Sequence, residues 1–214
     1  RGLGMCIRDS SYTPQSSGTN LEIALDSAFH VLPHAGIVFV LSDFLDEGFD
    51  TSLKRLSRKH DVVGVWVKDE RERMGLGSFK ALGAAYVIAS HAQNLTENPN
   101  STTLEGKTYV TASAGNHGLS LAAGAKIFGA KAVVFISETV PETFSDRLRE
   151  RGAVPVRKGS DYAASMSAAL EAAEENDWIL LSDSSWKNYI DKPLKLMEGY
   201  LQMADEAMSQ CNSI

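Results

Sequence analysis

The stretch Thr108-Tyr109-Val110-Thr111-Ala112-Ser113-Ala114-Gly115-Asn116-His117-Gly118 decides the fold. Five strand-prone residues, 108–112, run directly into six small or polar ones. Helical spacing then resumes through Leu119, Ala122, Ala123 and Ile127 and stops at Gly129, and an apolar run, Ala132–Ile136, follows at once. Strand, tight turn, helix and strand make a βαβ unit, whose strands are parallel and covered on both faces.

The same rhythm extends in both directions. Downstream, Pro141 suits the first turn of a helix that stops at Gly152. A short strand follows at Val154–Val156, and Ser160 caps a helix through Ala164, Ala168 and Ala172. Ile179–Leu181 reads as a strand and 193–208 as a last helix. Upstream, Ser78 is the predicted cap of a helix through Leu82, Ala85, Tyr86 and Ala89, and Asn94–Glu105 reads as polar loop. Before it come a helix over Leu21–Leu32, a strand at Ile37–Leu41, an amphipathic helix over Phe49–Lys59 and a strand at Val62–Val67. The predicted class is α/β, an open, mostly parallel sheet with flanking helices.

Composition bounds the function. The chain has 214 residues, 43% hydrophobic and 22% charged, with a formal net charge of −6. That excludes a disordered chain or a collagen. An acidic balance argues against a nucleic-acid binder, which needs a basic face. No apolar run approaches the ~20 residues that span a bilayer. Two cysteines, Cys6 and Cys211, make no disulfide framework, so a reducing, cytoplasmic setting is expected. His30 and His34 lie four apart, but Pro33 between them opposes a helical metal pair, and no metal site is expected. Residues 1–17, rich in Ser, Thr, Gly and Pro, read as a disordered tail. Its segment Met5–Ser10 resembles a translated sequencing adapter, and the opening Arg1 reads as a fragment's start.

Chemistry belongs beyond the carboxyl ends of the strands. The loop Ser113–Gly118 leads straight into a helix N-terminus, whose free N–H groups favour an anion, and Ser113 and Asn116 add side-chain donors. A carboxylate or phosphate suits it; a plain tight turn capped by Ser and Asn is the other reading. Lys80 falls in the first turn of its helix, where the macrodipole disfavours a cation by ~0.3–1 kcal/mol. That field is expected to lower its pKa and yield a nucleophilic amine able to form a Schiff base; a solvated surface lysine is the alternative.

Together these motifs resemble a known family. From about Val65 the chain is similar to pyridoxal-phosphate enzymes of fold type II, most of all the diaminopropionate ammonia-lyase branch. The resemblance rests on Val67-Lys68-Asp69-Glu70, Gly77-Ser78-Phe79-Lys80-Ala81-Leu82-Gly83-Ala84, Thr111–Gly118, Ser182-Asp183-Ser184-Ser185-Trp186 and Met197-Glu198-Gly199-Tyr200, in the family's order. It implies an enzyme domain over 68–214 that uses pyridoxal 5'-phosphate for β-elimination from a small amino acid such as 2,3-diaminopropionate, serine or threonine, giving a 2-keto acid and ammonia. Lys80 would bind the cofactor as a Schiff base and shuttle the Cα proton. Asn116 would bond the cofactor's ring hydroxyl, and Ser113, Ala114, Gly115, Asn116 and His117 would surround the substrate carboxylate. Asp183 would tune the substrate amine or cap a helix. A homodimer is the implied assembly. An Asp that serves the D-isomer commonly stands where this chain has Ala114, which leaves the substrate's stereochemistry open. The family's glycine-rich phosphate loop lies further along, and no such cluster follows Asp183, so an incomplete site and weak or no activity are expected.

The front resembles something else. Residues 18–67, through Gly18-Thr19-Asn20-Leu21, Val38–Phe44 and Leu45-Asp46-Glu47-Gly48, look like the C-terminal half of a von Willebrand A-like domain. That implies a metal-dependent binding module, with Thr19 and Asp43 at plausible cation positions, as the non-catalytic alternative. The two resemblances meet between Val62 and Arg73, which implies a chimera of two α/β fragments.

Overall fold

The computed structural model describes residues 20–44 and 46–211. The expected tail over 1–17, Cys6 and Thr19 lie outside the described residues. The chain divides into two compact units, residues 1–68 and 69–214.

The first unit runs α1 (Leu21–Val31), β1 (Ile37–Ser42), α2 (Asp50–Ser57) and β2 (Asp61–Trp66). Asn20 starts α1 by accepting the Ile23 N–H at 2.9 Å. β1 and β2 are parallel, in register from Ile37–Asp61 to Ser42–Trp66. Leu21, Leu25 and Leu56 are buried, and Val38, Val40 and Val62 pack on them. The all-apolar run 37–41 predicts a strand covered on both faces. Here only one face is covered, because both helices pack on the Val38–Val40 side while Ile37, Phe39 and Leu41 are exposed.

The second unit opens with a 3₁₀ turn (Arg73–Gly75). It continues α3 (Ala81–Leu95), β3 (Thr108–Ala112), α4 (Asn116–Ile127), β4 (Lys131–Ile136), α5 (Glu142–Glu150), β5 (Ala153–Arg157), α6 (Tyr162–Asn176), β6 (Ile179–Leu180) and α7 (Asp191–Cys211). Its four strands are all parallel, in the order β5-β4-β3-β6. The rhythm read from the sequence as one sheet is therefore two, since β2 pairs only with β1 among the described residues.

Both faces of the larger sheet are buried. Tyr109, Val134 and Ile136 point toward Ile88, Leu121, Leu148 and Leu196, which come from α3, α4, α5 and α7. Their neighbours Val110, Ala112, Val133 and Phe135 pack on Ala168, Ala169 and Ala173 of α6. Burying one such large side chain is worth about 1.5–3 kcal/mol, against a spread of ~1 kcal/mol for strand propensity. Packing therefore sets the register: a one-residue slip would exchange the two faces.

Local boundaries shift by a residue or so from expectation. Asp161, not Ser160, caps α6, accepting the Ala164 N–H at 2.9 Å. Pro141 is the residue before α5 rather than within its first turn. α3 reaches Leu95, and the turns beyond it are anchored by the fully buried Leu104, whose N–H donates to the Phe128 carbonyl at 2.8 Å. Among the described residues, no helix is long and apolar enough to cross a membrane.

Candidate active site

Strand order places β4 on one side of β3 and β6 on the other. The carboxyl ends of β3 and β6 thus flank the point where the winding reverses, where open α/β sheets take ligands. The loop Ser113–Gly118 leaves β3 there, and Ser182-Asp183 leaves β6.

Gly77, at φ +79°, turns the chain toward α3, a conformation that side-chain-bearing residues resist. Lys80 is the residue immediately before α3, and the Ser78 hydroxyl accepts its backbone N–H at 3.3 Å. Ser78 is therefore not the helix cap expected of it: the cap position is Lys80, two residues on, and the Ser78 hydroxyl holds the turn that precedes the helix. The turn preceding α3 is held at its other end by Arg73, which donates to Glu70 at 2.7 Å and to Glu206 of α7 at 2.9 Å.

Lys80 Nζ donates to Asp183 Oδ2 at 3.0 Å, joining residues that are 103 apart in sequence. Both side chains are about three-quarters to two-thirds shielded, with 30% and 26% exposure. The helix-terminus argument places the Lys80 amine below the usual lysine range, and the structure reverses this. Burial does push the amine down, but the hydrogen bond and charge of Asp183, with Tyr200 adding, outweigh it and hold the amine above that range. A full carboxylate charge at bonding distance exceeds the ~0.5 charge of a helix end. Burial works to raise Asp183, while the hydrogen bond and charge of Lys80 hold it below the usual carboxylate range. Asp183 caps no regular helix, since α7 begins at Asp191.

In the β3 loop, Ala114 and Asn116 are exposed and Gly115 is half-buried, with Ser113 and His117 buried beneath them. The Ser113 hydroxyl accepts the N–H of Gly118 at 3.0 Å and of Gly115 at 3.3 Å. It is engaged in shaping the loop, as the capped-turn reading expects. The N–H groups of Asn116 and His117, in the first turn of α4, have no intrahelical acceptor and remain for an anion.

His117 Nε2–H donates to the Leu181 carbonyl at 2.9 Å, and its buried Nδ1 has no partner. A carbonyl only accepts, so Nε2 carries the proton and Nδ1 presents a lone pair. Burial holds this imidazole below the usual histidine range, and the Asp183 charge and the Leu181 bond oppose that without prevailing. The unfolded chain therefore takes up a proton, as pH falls through about 6.5, that folded His117 refuses. Stability is expected to decline below that pH, by up to ~1.4 kcal/mol per pH unit from this group. His117→Gln should flatten the decline, as urea midpoints between pH 7.5 and 5 would show.

The structure thus joins Lys80, Asp183 and His117 and sets Ser113–Asn116 on the same end of the sheet. Sequence reasoning assigned no role to Tyr200, whose ring also borders Lys80; the one signal was its place in the motif Met197–Tyr200. A concavity of about 640 Å³ lies elsewhere, against α3 and α7, lined by Leu82, Tyr86 and Leu201 among others, and takes in none of the predicted site residues. Among the described residues, no cluster of three or more His, Cys, Asp or Glu is placed to hold a metal ion.

Comparison with known proteins bears on this geometry. Residues 4–81 match the family described as "Protein of unknown function DUF58", rather than the von Willebrand A type expected for the front segment. Diaminopropionate ammonia-lyase of Salmonella typhimurium is 30% identical over 172 residues, covering 74% of this chain and 43% of that protein. A probable D-serine dehydratase of Rhizobium leguminosarum is 25% identical over 169 residues, covering 72% and 37%. The crystal structure of the Escherichia coli diaminopropionate ammonia lyase, in complex with an aminoacrylate-PLP azomethine reaction intermediate, superposes with a TM-score of 0.62. It is 30% identical and covers 68% of this chain and 39% of its own. The chain spans about two-fifths of the length of these relatives. The family described as "Pyridoxal-phosphate dependent enzyme" matches residues 46–214, most of the chain, and the chain belongs to that family.

Proposed function

We propose that this chain carries the lysine and substrate-loop portion of a pyridoxal-phosphate ammonia-lyase acting by β-elimination on a small amino acid. Its substrate class is 2,3-diaminopropionate, serine or threonine, and its products are a 2-keto acid and ammonia. The observation that carries this reading is the Lys80 amine, 3.0 Å from Asp183, at the strand end that also bears the β3 loop.

The residues present fit the cofactor. Lys80 offers a primary amine, Asn116 an exposed amide, the start of α4 unshared N–H groups, and His117 an unpartnered buried nitrogen. Bound pyridoxal 5'-phosphate supplies an electron-withdrawing ring that spreads the electron pair left when the Cα proton departs. The rest is done by the chain. Lys80 must lose a proton before its nitrogen can attack a carbonyl, and Asp183 is the carboxylate in contact with it. Once free, the same amine can take the substrate's Cα proton and return it to the leaving nitrogen. The N–H groups of Asn116 and His117 orient the substrate carboxylate, and Ser113 acts by holding their loop in shape. Asp183, released from Lys80, is placed to hold a cationic amine of the substrate. We take a homodimer as the assembly.

Adding pyridoxal 5'-phosphate to the chain tests this reading. A red-shifted imine absorption is expected, together with ammonia release from 2,3-diaminopropionate or serine. A spectrum identical to that of the free cofactor, with no ammonia, overturns it. The two family matches overlap over residues 46–81. This supports the reading that two α/β segments meet between Val62 and Arg73, which sequencing the source nucleic acid across that point would test.

A further inference from the structure

α7 crosses α3 at two glycines. A Cβ on Gly199 would collide with the Leu82 carbonyl oxygen, and one on Gly83 would come within 2.5 Å of the Tyr200 hydroxyl. Only the missing side chains allow this approach, and its result is to lay Tyr200 over the first turn of α3, beside Lys80. The Tyr200 ring meets Phe79 edge-on, with centroids 5.2 Å apart at 74°. The Lys80 nitrogen lies 5.6 Å from the centroid of each of these two rings. The Tyr200 hydroxyl is buried beside this amine and makes no hydrogen bond of full geometry, a condition that native structures seldom leave without use.

The titratable groups facing Lys80 are Asp183 after β6, His117 at the start of α4 and Tyr200 on α7. Asp183 carries a charge, and neutral His117 directs its donor at Leu181. Tyr200 supplies an uncharged oxygen. We propose that Tyr200 is a positioning residue for Lys80, its ring and idle hydroxyl holding the amine at the strand ends and accepting its hydrogen bond when Asp183 turns to the substrate. The inference rests on Lys80 being the reactive amine of the proposed function. It adds a chemical purpose: an acceptor without charge keeps the amine aimed while leaving it freer to lose its proton than a carboxylate does. The ring contributes a cation–π contact to the same end. Tyr200 also helps to hold the Lys80 amine above its ordinary range, though less than Asp183 does.

The test needs no cofactor. The chain is labelled with fluorodinitrobenzene across a range of pH, and adducts at Lys80 and at the exposed Lys131 are counted by peptide mass spectrometry. Tyr200→Phe keeps the ring and removes the oxygen. Lys80 labelling at neutral pH is expected to rise about two- to fivefold in this variant, a change set by removing the hydroxyl oxygen's weak pull on the ammonium. The plateau at high pH and the Lys131 profile should not move, which separates a proton effect from altered access. Gly83→Ala, which pushes the hydroxyl away, should act in the same direction and carries the test if Tyr200→Phe loses its far-UV circular dichroism. A Lys80 profile unchanged in the folded variant overturns the inference. A shifted profile in a chain that forms no imine with pyridoxal 5'-phosphate upholds the positioning role and discards the cofactor reading.

Discussion

Lys80→Ala is expected to remove the imine absorption formed with pyridoxal 5'-phosphate and to cut ammonia release by about 10²–10⁴-fold, the usual worth of a positioned proton-transfer group. The comparison that gives this result force is Lys192. Its amine is half-buried, burial holds it below the usual lysine range, and it donates to the Leu180 carbonyl at 2.7 Å. By acidity alone Lys192 is the better nucleophile. By geometry it is tied to backbone and lies 5.7 Å from the Tyr189 ring centroid, whereas Lys80 reaches the Asp183 carboxylate beyond the end of β6. Lys192→Ala should therefore keep the band and Lys80→Ala should lose it. The reverse pattern would move the site to Lys192 and discard the role assigned to Lys80. Absorption spectra of both variants, with borohydride reduction and peptide mapping of the wild type, give the answer.

Gly199→Val should lower stability by about 3 kcal/mol, the upper range for forcing volume into a packed interior. Its Cβ would meet the Leu82 carbonyl oxygen and crowd Tyr86, so the α3–α7 crossing must open. The backbone oxygen cannot rotate aside as a flexible side chain can. For a unit of this size the thermal midpoint is expected to fall by roughly 6–12 °C. An unchanged midpoint by circular dichroism would show that the crossing is not as tight as described. Because α7 also carries Leu196 into the core and Glu206 to Arg73, loosening it should disturb the start of α3 and with it Lys80.

Much of the fold was legible before any coordinates. The runs 108–112 and 132–136 carry β-prone and apolar residues without polar alternation, so both faces must be covered, and parallel pairing follows. Gly129 and Gly152, at φ +77° and +86°, end their helices where expected, since few other residues take that backbone. The misreadings were of two kinds. The run 37–41 looks like a doubly covered strand, but coverage depends on what packs there, and in its own unit only one face is met. The low pKa expected for Lys80 came from its helix alone, and a carboxylate 103 residues away overrode it.

Strand and helix rhythm, glycine placement and the small-residue loop are properties of neighbouring residues along the chain, and they were enough to settle the α/β class and the parallel strands and to nominate Lys80 and the loop Ser113–Gly118. The pairing of Lys80 with Asp183, the tautomer of His117 and the placing of Tyr200 were not available that way. Each depends on the strand order β5-β4-β3-β6 and on how closely α7 approaches α3. Those are outcomes of packing between segments far apart in the chain, where one carbonyl or one missing methyl decides which side chains touch, and no local pattern records that.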